Sequence, residues 1–169
     1  FGGTSGYVLS NPSAGFDKPL AIALDSLYLY IVGYDNVGAL PRWRIEKRYQ
    51  SDGTLVASFG PGGSVNSNTT TGAVANAIAI DSNYIYVAGY DNTASGSFEW
   101  RIEKRDITTG ALVTSFGSGG VVVNDFGSPA LDLDDDIWAI AVDASYVYVA
   151  GYESVDIDNS RWRIMKLLK

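Results

Sequence analysis

The amino-acid sequence predicts an all-β protein made of three tandem units, each a small set of antiparallel strands. Blocks of similar residues recur three times along the 169-residue chain, and apolar and polar residues alternate with period two inside these blocks. No segment shows the periodicity of a helix. Hydrophobic residues make up 46% of the chain and charged residues 18%, which indicates a globular protein and not a disordered one.

Three short blocks carry the repeat. The first reads Ala-Ile-Ala, then Leu, Ile or Val, then Asp; it begins at Ala21, Ala77 and Ala139, a spacing of 56 and then 62 residues. A tyrosine-rich block ending in Gly-Tyr follows, and then Trp-Arg-Ile. Nine tyrosines and three tryptophans thereby occupy equivalent positions: Tyr28, Tyr30, Tyr34, Tyr84, Tyr86, Tyr90, Tyr146, Tyr148, Tyr152, Trp43, Trp100 and Trp162. Chance does not produce such agreement, so the repeat defines the fold.

Each unit is predicted to form four strands in chain order. The Ala-Ile-Ala block suits a buried inner strand, and its closing aspartate (Asp25, Asp81 or Asp143) is expected to accept backbone N–H groups of the next turn. The tyrosine block and the Trp-Arg-Ile block alternate as second and third strands. A fourth strand is predicted at 55–59 and at 112–116, followed by a glycine-rich loop that leads to the next unit.

These blocks resemble known propeller blades. The run A-I-A-I-D, Y-I-Y-V-A-G-Y-D-N, W-R-I-E-K-R-D and G-A-L-V-T-S-F-G resembles the NHL type of blade, and S-F-G-S-G-G-V-V-V-N-D-F-G is similar to the bacterial delta-sixty repeat. The resemblance covers the whole chain and implies three four-stranded antiparallel propeller-like blades, but no particular activity. We expect one repeat domain over 1–169, with units 1–58, 59–115 and 116–169, the last without its outer strand.

Three blades do not close a ring, since propellers have at least four. We expect an incomplete ring that is closed by self-association into a homo-oligomer or head-to-tail filament, or that is cut from a longer array. The N-terminal segment then completes a blade in this chain or in a neighbour. In the third unit Met165 and Leu167 replace the charged residues of the third strand, which predicts a covered face, although repeat drift also explains the change. The residues expected in self-association are Phe1, Tyr7, Met165, Leu167 and Leu168.

Composition excludes several classes of function. The chain has no cysteine and no histidine, which removes disulfides, Cys/His zinc sites and imidazole-based triads. Its net charge of −7 disfavours nucleic acid as a partner, and no apolar run is long enough for membrane insertion. The abundance of Gly, Ser, Thr, Asn and Tyr favours an extracellular or cell-surface protein.

Acidic residues concentrate in the third unit. Four of them lie within five positions: Asp132, Asp134, Asp135 and Asp136. Carboxylates so close together repel one another unless they are hydrated or bridged by a cation, and Ca²⁺ takes six to eight oxygen ligands. The spacing matches no EF-hand. A calcium site and a solvated acidic loop are therefore the two interpretations.

A second candidate site lies at the ends of the tyrosine strands. The aromatic and acidic side chains expected to bind a carbohydrate or another ligand there are Tyr34, Asp35, Tyr90, Asp91 and Tyr152. The repeated tryptophans are expected in the core. The Arg-Glu pairs at Arg44 and Arg101 are expected to form a charge ladder on a solvated face.

The sequence favours a non-catalytic structural or interaction repeat protein that assembles with itself, because its open ends are apolar. The first alternative is a carbohydrate- or ligand-binding propeller module. The second is an aspartate-dependent hydrolase or lyase. We assign no catalytic residue and no cofactor, apart from the calcium ion considered above.

Overall fold

The protein, described here by a computed structural model, is all-β. The structure describes residues 1–37, 40–67, 72–92, 97–124, 126 and 133–169. These residues contain no helix, and so none that is long and apolar enough to cross a membrane. They form three antiparallel sheets of four, four and three strands that do not close into a ring.

The strands of each sheet follow one another along the chain. The first sheet contains β1 (Lys18–Leu24), β2 (Tyr28–Val37), β3 (Leu40–Tyr49) and β4 (Ser64–Ser67). The second contains β5 (Ala73–Ile80), β6 (Tyr84–Asn92), β7 (Phe98–Asp106) and β8 (Val121–Asn124). The third contains β9 (Asp136–Val142), β10 (Tyr146–Asp156) and β11 (Asn159–Leu168), and β11 forms its edge. Each sheet is an antiparallel meander, as the repeat predicts.

The outer strand is not where the sequence predicts it. Residues 55–59 form turns and a single bridge from Leu55 to Arg48, and β4 follows the glycine-rich loop instead. The same holds for β8 in the second sheet. The reason is local: Gly60, Gly62 and Gly63 adopt positive φ angles, which fold the chain back so that 64–67 reach β3. The segments taken from the sequence to be linking loops therefore carry the outer strands.

The sheets stack face to face. One core lies between the first and second sheets and contains Tyr30, Trp43 and Ile45 of the first against Ile85 and Val87 of the second. An equivalent core lies between the second and third sheets and contains Tyr86, Trp100 and Ile102 against Val147 and Val149. Among the described residues, another sheet therefore covers both faces of the second sheet, but only one face of the first sheet and one face of the third.

The glycine of each Gly-Tyr pair is required by a repeated β-bulge. The inner strand of every sheet is irregular at one position, and there its backbone approaches the second strand closely. A Cβ atom on Gly33 would lie 2.0 Å from the carbonyl oxygen of Lys18, and one on Gly89 would lie 2.1 Å from that of Val74. No other residue fits such a contact, so these glycines fix the register of the inner strand.

Candidate functional site

The repeated tryptophan separates the third sheet from the other two. Trp43 and Trp100 are fully buried, whereas Trp162 is 92% exposed. The indole N–H of Trp43 donates to the carbonyl of Tyr90 (3.0 Å), one sheet further on. That of Trp100 donates to the carbonyl of Tyr152 (3.1 Å) in the same way. The expectation that all three tryptophans lie in the core is therefore wrong for Trp162, because no fourth sheet covers it among the described residues.

The exposed surface around this tryptophan is called the Trp162 face, and it consists of Tyr148, Ala150, Trp162 and Ile164. Ile164 is 73% exposed, although its counterparts Ile45 and Ile102 are fully buried. An aromatic and aliphatic surface of this kind is typical of an interaction site.

The opposite end of the stack also has an open surface, the Ile22 face, which consists of Ile22, Leu24, Leu29 and Ile31. Ile22 and Leu24 are 60% and 62% exposed, whereas their counterparts Ile78 and Ile80 pack on the first sheet. A groove of about 590 Å³ lies over this face. The N-terminal segment, through Val8 and Leu9, forms its other wall.

The charge ladder of the second sheet is buried and not solvated. On β7, Glu103 accepts from Arg101 (2.7 Å) and from Arg105 (2.7 Å), and it is fully buried against the first sheet. Ser67 of β4 donates to the same carboxylate (2.6 Å). Burial by itself would raise the pKa of Glu103, but the Arg105 and Arg101 guanidiniums hold it below its ordinary value. The prediction of a solvated face is therefore wrong here, because the first sheet covers it.

In the third sheet the same positions are apolar. Met165 and Leu167 pack against the second sheet, in the core that contains Trp100 and Ile102. Their face is covered within the chain, so a partner is not needed to bury them, and this corrects the interpretation of the sequence. Leu168 points to the other side and is exposed.

The two N-terminal residues expected in self-association lie at the Ile22 face. Phe1 is partly exposed and lines the groove over that face, beside Gly53. Tyr7 is largely exposed. Their position leaves self-association a prediction, but it places them at an open end of the stack.

The two aspartates predicted to bind a ligand are held by arginines. Asp35 is fully buried and accepts from Arg42 (2.6 Å), from Arg44 (3.2 Å) and from Asn66 (3.2 Å). Although burial opposes it, these partners keep the pKa of Asp35 low. In the described residues Asp91 forms one ion pair, with Arg101 (2.9 Å). Burial raises the pKa of Asp91. Its Oδ1 atom is buried without a described hydrogen-bond partner.

The three tyrosines of the Gly-Tyr pairs are half-buried, not exposed. Tyr90 stacks on Phe98, with ring centroids 4.0 Å apart. Burial raises the pKa of Tyr90 to about 12, and the electrostatic effects of Asp136 and Tyr34 act in the same direction. Burial and Asp136 also raise the pKa of Tyr152. The structure therefore brings together the tyrosines of neighbouring sheets at the same end of their strands, next to the acidic segment.

Each described aspartate of the acidic segment, Asp134 to Asp136, accepts hydrogen bonds from a different part of the protein. Asp134 accepts from the N–H of Phe98 (3.0 Å), and Asp135 accepts from the N–H groups of Phe126 (3.1 Å) and Ser154 (2.8 Å). Asp136 accepts from the side chain of Asn76 (2.7 Å). Burial raises the pKa of Asp136 to about 7, and the nearby charge of Asp134 adds to it.

These contacts bear on the calcium interpretation. Within the described ranges no group of three or more acidic side chains is arranged to hold a metal ion. Asp132 lies outside the described residues. Calcium binding thus stays a prediction, and the structure assigns the other three aspartates to loop and strand contacts.

The aspartates that end the inner strands are structural, as predicted. Asp25 accepts from the N–H groups of Leu27 (2.8 Å) and Tyr28 (2.8 Å). Its other oxygen accepts from the hydroxyl of Tyr30 (2.8 Å). Asp81 and Asp143 make the same contacts in their sheets. Each of these carboxylates thus closes a turn in its own sheet.

The sequence pattern does not single out the two open faces or Asn76. It predicts a buried strand for Ile22 and Leu24 and a core position for Trp162, because the repeat gives equivalent residues equivalent roles. Asn76 has no polar counterpart, since Leu20 and Trp138 stand at its position in the other units. That break in the repeat was a usable signal for its contact with Asp136.

Comparison with known proteins adds no family. No protein-family model matches the chain, and no curated protein is significantly similar to it. The resemblance to NHL and delta-sixty repeats remains a prediction from the sequence.

Proposed function

We propose that the chain is a non-catalytic structural or interaction protein, built of propeller-like blades, that assembles with further copies of itself at an extracellular or surface location. One observation carries this proposal: residues that are fully buried in the first two sheets, Trp and Ile of the third strand, are exposed on the Trp162 face. Burial of a large apolar side chain contributes about 1.5–3 kcal/mol. A surface of this composition favours association.

The Trp162 face and the Ile22 face are of the two types that pack on each other inside the molecule. In both observed interfaces the face with the tryptophan packs on the inner strand of the next sheet, through Ile78 and Ile80 in one case and through Ile140 and Val142 in the other. Among the described residues, the Trp162 face is a tryptophan face that no sheet covers, and the Ile22 face is an inner-strand face that no sheet covers. Head-to-tail contact between copies would repeat an arrangement that the molecule already contains.

Light scattering on a sizing column, over a range of concentrations, tests the proposal. We expect a discrete assembly or a filament of the 18.1 kDa chain. Trp162→Lys should weaken association at least about tenfold, because a buried tryptophan anchor commonly dominates an interface. Ile157→Lys is the matched control, since Ile157 is exposed in the turn between β10 and β11, outside both faces. A monomer at every concentration contradicts the proposal.

A ligand-binding role is the second candidate. It is supported by Asp91, whose Oδ1 atom has no hydrogen-bond partner among the described residues and whose pKa is raised by burial. Because that oxygen is buried, a carbohydrate hydroxyl would reach it only after the site opens. An oligosaccharide array probed with the wild type and with Asp91→Ala tests it: binding that the variant loses supports the role, and an array without binding contradicts it.

A further inference from the structure

The N-terminal segment, residues 1–10, repeats the segment that carries the outer strand of the first sheet. Each begins with Phe-Gly and continues through three glycines of positive φ. These are Gly2 (61°), Gly3 (66°) and Gly6 (73°) in the N-terminal segment, and Gly60 (57°), Gly62 (73°) and Gly63 (94°) before β4. A Cβ atom on Gly2 would meet the carbonyl oxygen of Tyr7, as one on Gly60 would meet that of Ser64. Tyr7–Ser10 is therefore the counterpart of β4, Ser64–Ser67.

The two segments also bind the next sheet identically. The N–H of Gly2 donates to the carbonyl of Asp52 (2.9 Å), and that of Gly60 donates to the carbonyl of Thr109 (3.0 Å). Asp52 and Thr109 are equivalent turn residues of the first and second sheets. The N-terminal segment thus lies on the first sheet as the β4 segment lies on the second.

The turn glycines confirm this equivalence. A Cβ atom on Gly53 would lie 2.8 Å from Val8 and 2.9 Å from the Phe1 ring. A Cβ atom on Gly110 would lie 2.8 Å from Val65 and 3.0 Å from the ring of Phe59, the phenylalanine that begins the β4 segment. Two agreeing contacts of this kind fix the alignment of Val8 with Val65.

The N-terminal segment is therefore placed as the outer strand of a sheet that would lie on the Ile22 face. Tyr7–Ser10 forms no strand with any described residue, and Tyr7 and Leu9 are 60% and 88% exposed. The third sheet has the complementary property. In the first two sheets the outer strand pairs with the third strand, from Trp43 to Glu46 and from Trp100 to Glu103. In the third sheet β11 is an edge.

We propose that Tyr7–Ser10 of one copy adds to β11 of a second copy as its fourth antiparallel strand. This inference rests on the self-assembly proposed above and names its partner and register. Since Trp43 pairs with Ser67 in the first sheet, Ser10 pairs with Trp162. Leu9 then pairs with Arg163, and Val8 with Ile164. Main-chain hydrogen bonds supply affinity in such strand addition, and side chains supply specificity.

The same placement satisfies the exposed indole. Trp43 and Trp100 donate to the carbonyls of Tyr90 and Tyr152 on the neighbouring sheet. With the third sheet of the second copy seated on the Ile22 face, the equivalent acceptor for Trp162 is the carbonyl of Tyr34 in the first copy. Ser67 donates to Glu103 across the first interface. Ser10 is the counterpart of Ser67 in this placement, so its hydroxyl donates to Glu46, the counterpart of Glu103. One placement thus explains the N-terminal segment, the edge of β11 and the Trp162 face.

Disulfide trapping tests the register, because the natural chain has no cysteine. Leu9→Cys chains are mixed with Arg163→Cys chains under mild oxidation, so that only an intermolecular bond yields a covalent heterodimer. Val8→Cys with Ile164→Cys is a second in-register pair, which also covers failure of Arg163→Cys to fold. Neighbouring residue pairs of an antiparallel ladder alternate between a wider hydrogen-bonded pair and a closer non-hydrogen-bonded pair. The two cysteine pairs therefore include one of each type. The control mixes Leu9→Cys with Lys166→Cys, three positions out of register.

We expect roughly tenfold more heterodimer from an in-register pair than from the control. Assembly without preferential trapping overturns the strand addition and leaves self-assembly intact. A chain that is monomeric and untrapped overturns both. A variant without residues 1–10 gives an independent reading: it should assemble at least about tenfold more weakly if strand addition contributes to binding, and equally well if it does not.

Discussion

The interface between the first and second sheets and the interface between the second and third sheets use one geometry and two chemistries. The first buries an Arg-Glu-Arg ladder with a serine from the outer strand. The second replaces the glutamate and its following arginine by Met165 and Leu167. Asn124 of the outer strand β8 takes the place of Ser67, and its side-chain amide lies 3.8 Å from the sulfur of Met165. The repeat therefore fixes the stacking, while the polar contacts depend on what covers each face.

Substitution of the repeated tryptophan is expected to give the largest difference in the free energy of unfolding between the covered and the open sheets. Trp100→Ala should lower the free energy of unfolding by about 4 kcal/mol, because it opens a cavity between two sheets and leaves the Tyr152 carbonyl without its donor. Trp162→Ala should change that free energy in the monomer by less than about 0.5 kcal/mol. Urea denaturation of dilute samples, at concentrations below the association midpoint, measures both. Equal losses from the two variants would mean that Trp162 is already covered in the monomer.

The buried ladder comes next. Glu103→Met should destabilise the protein by about 3 kcal/mol, because two buried guanidiniums lose their common carboxylate. The double variant Glu103→Met with Arg105→Leu installs the pair found in the third sheet and should recover most of this loss. Chemical denaturation of the single and double variants measures the coupling. No recovery would show that the two interfaces differ in shape as well as in charge.

The pH dependence of stability sharpens the contrast between buried and exposed aspartates. The pKa of Asp136 is raised from the ordinary 3.8 to about 7. Between these values the folded state holds a proton that the unfolded state has lost, so this residue's contribution falls as pH rises from about 4 to about 7. Asp136→Asn keeps the acceptor for Asn76 and removes that decline, so the variant should be more stable than the wild type at pH 8. Thermal unfolding across pH 4–8 measures it.

Asp143→Asn is the matched control with the opposite sign. The N–H of Ser145, the hydroxyl of Tyr148 and the N–H of Tyr146 lower the pKa of Asp143. Its contribution is therefore present above the ordinary pKa and is lost as pH falls through the lowered one. The variant should be less stable than the wild type at neutral pH and should approach it in acid. Parallel pH profiles of the two variants would contradict both assignments.

The smallest effect concerns the tyrosine hydroxyls that bind the turn aspartates. Tyr86 donates to Asp81 (3.0 Å) between two sheets, and Tyr148 donates to Asp143 (2.8 Å) on the open Trp162 face. Tyr86→Phe should cost about 1.5 kcal/mol and Tyr148→Phe clearly less, because water replaces only the exposed hydroxyl. Denaturant titration distinguishes them. The reverse order would indicate that the Trp162 face is the better protected of the two.

Much of the fold could be predicted from the sequence, since the repeat sets the number of sheets and the alternation sets their first three strands. The outer strand could not, because its four residues, Ser64–Ser67 in the first sheet, are too short and polar for the pattern to favour them over the apolar run at 55–59. Their pairing depends on the positive φ angles of three glycines, which a sequence pattern does not report.

The candidate sites were less predictable, for a physical reason. Trp43 and Trp162 have similar sequence neighbours, and only the presence or absence of a covering sheet separates their environments. The sequence predicts that a partner covers Met165 and Leu167, but the surface that packs on them is the second sheet of the same chain. The aspartates at 134–136 were identified from composition alone, and their separate contacts arise from tertiary packing.

The double coverage of the second sheet has a consequence for local stability. A stack in which each sheet contacts only its neighbours opens from its ends, since an end sheet breaks one interface on leaving and the middle sheet breaks two. Amide hydrogens of Ile85, Val87 and Ile102 should therefore exchange only in global unfolding, while those of β1 and β11 exchange through partial opening. Hydrogen exchange thus divides this chain into a slow centre and two faster ends, and capping either end by another molecule should slow that end alone.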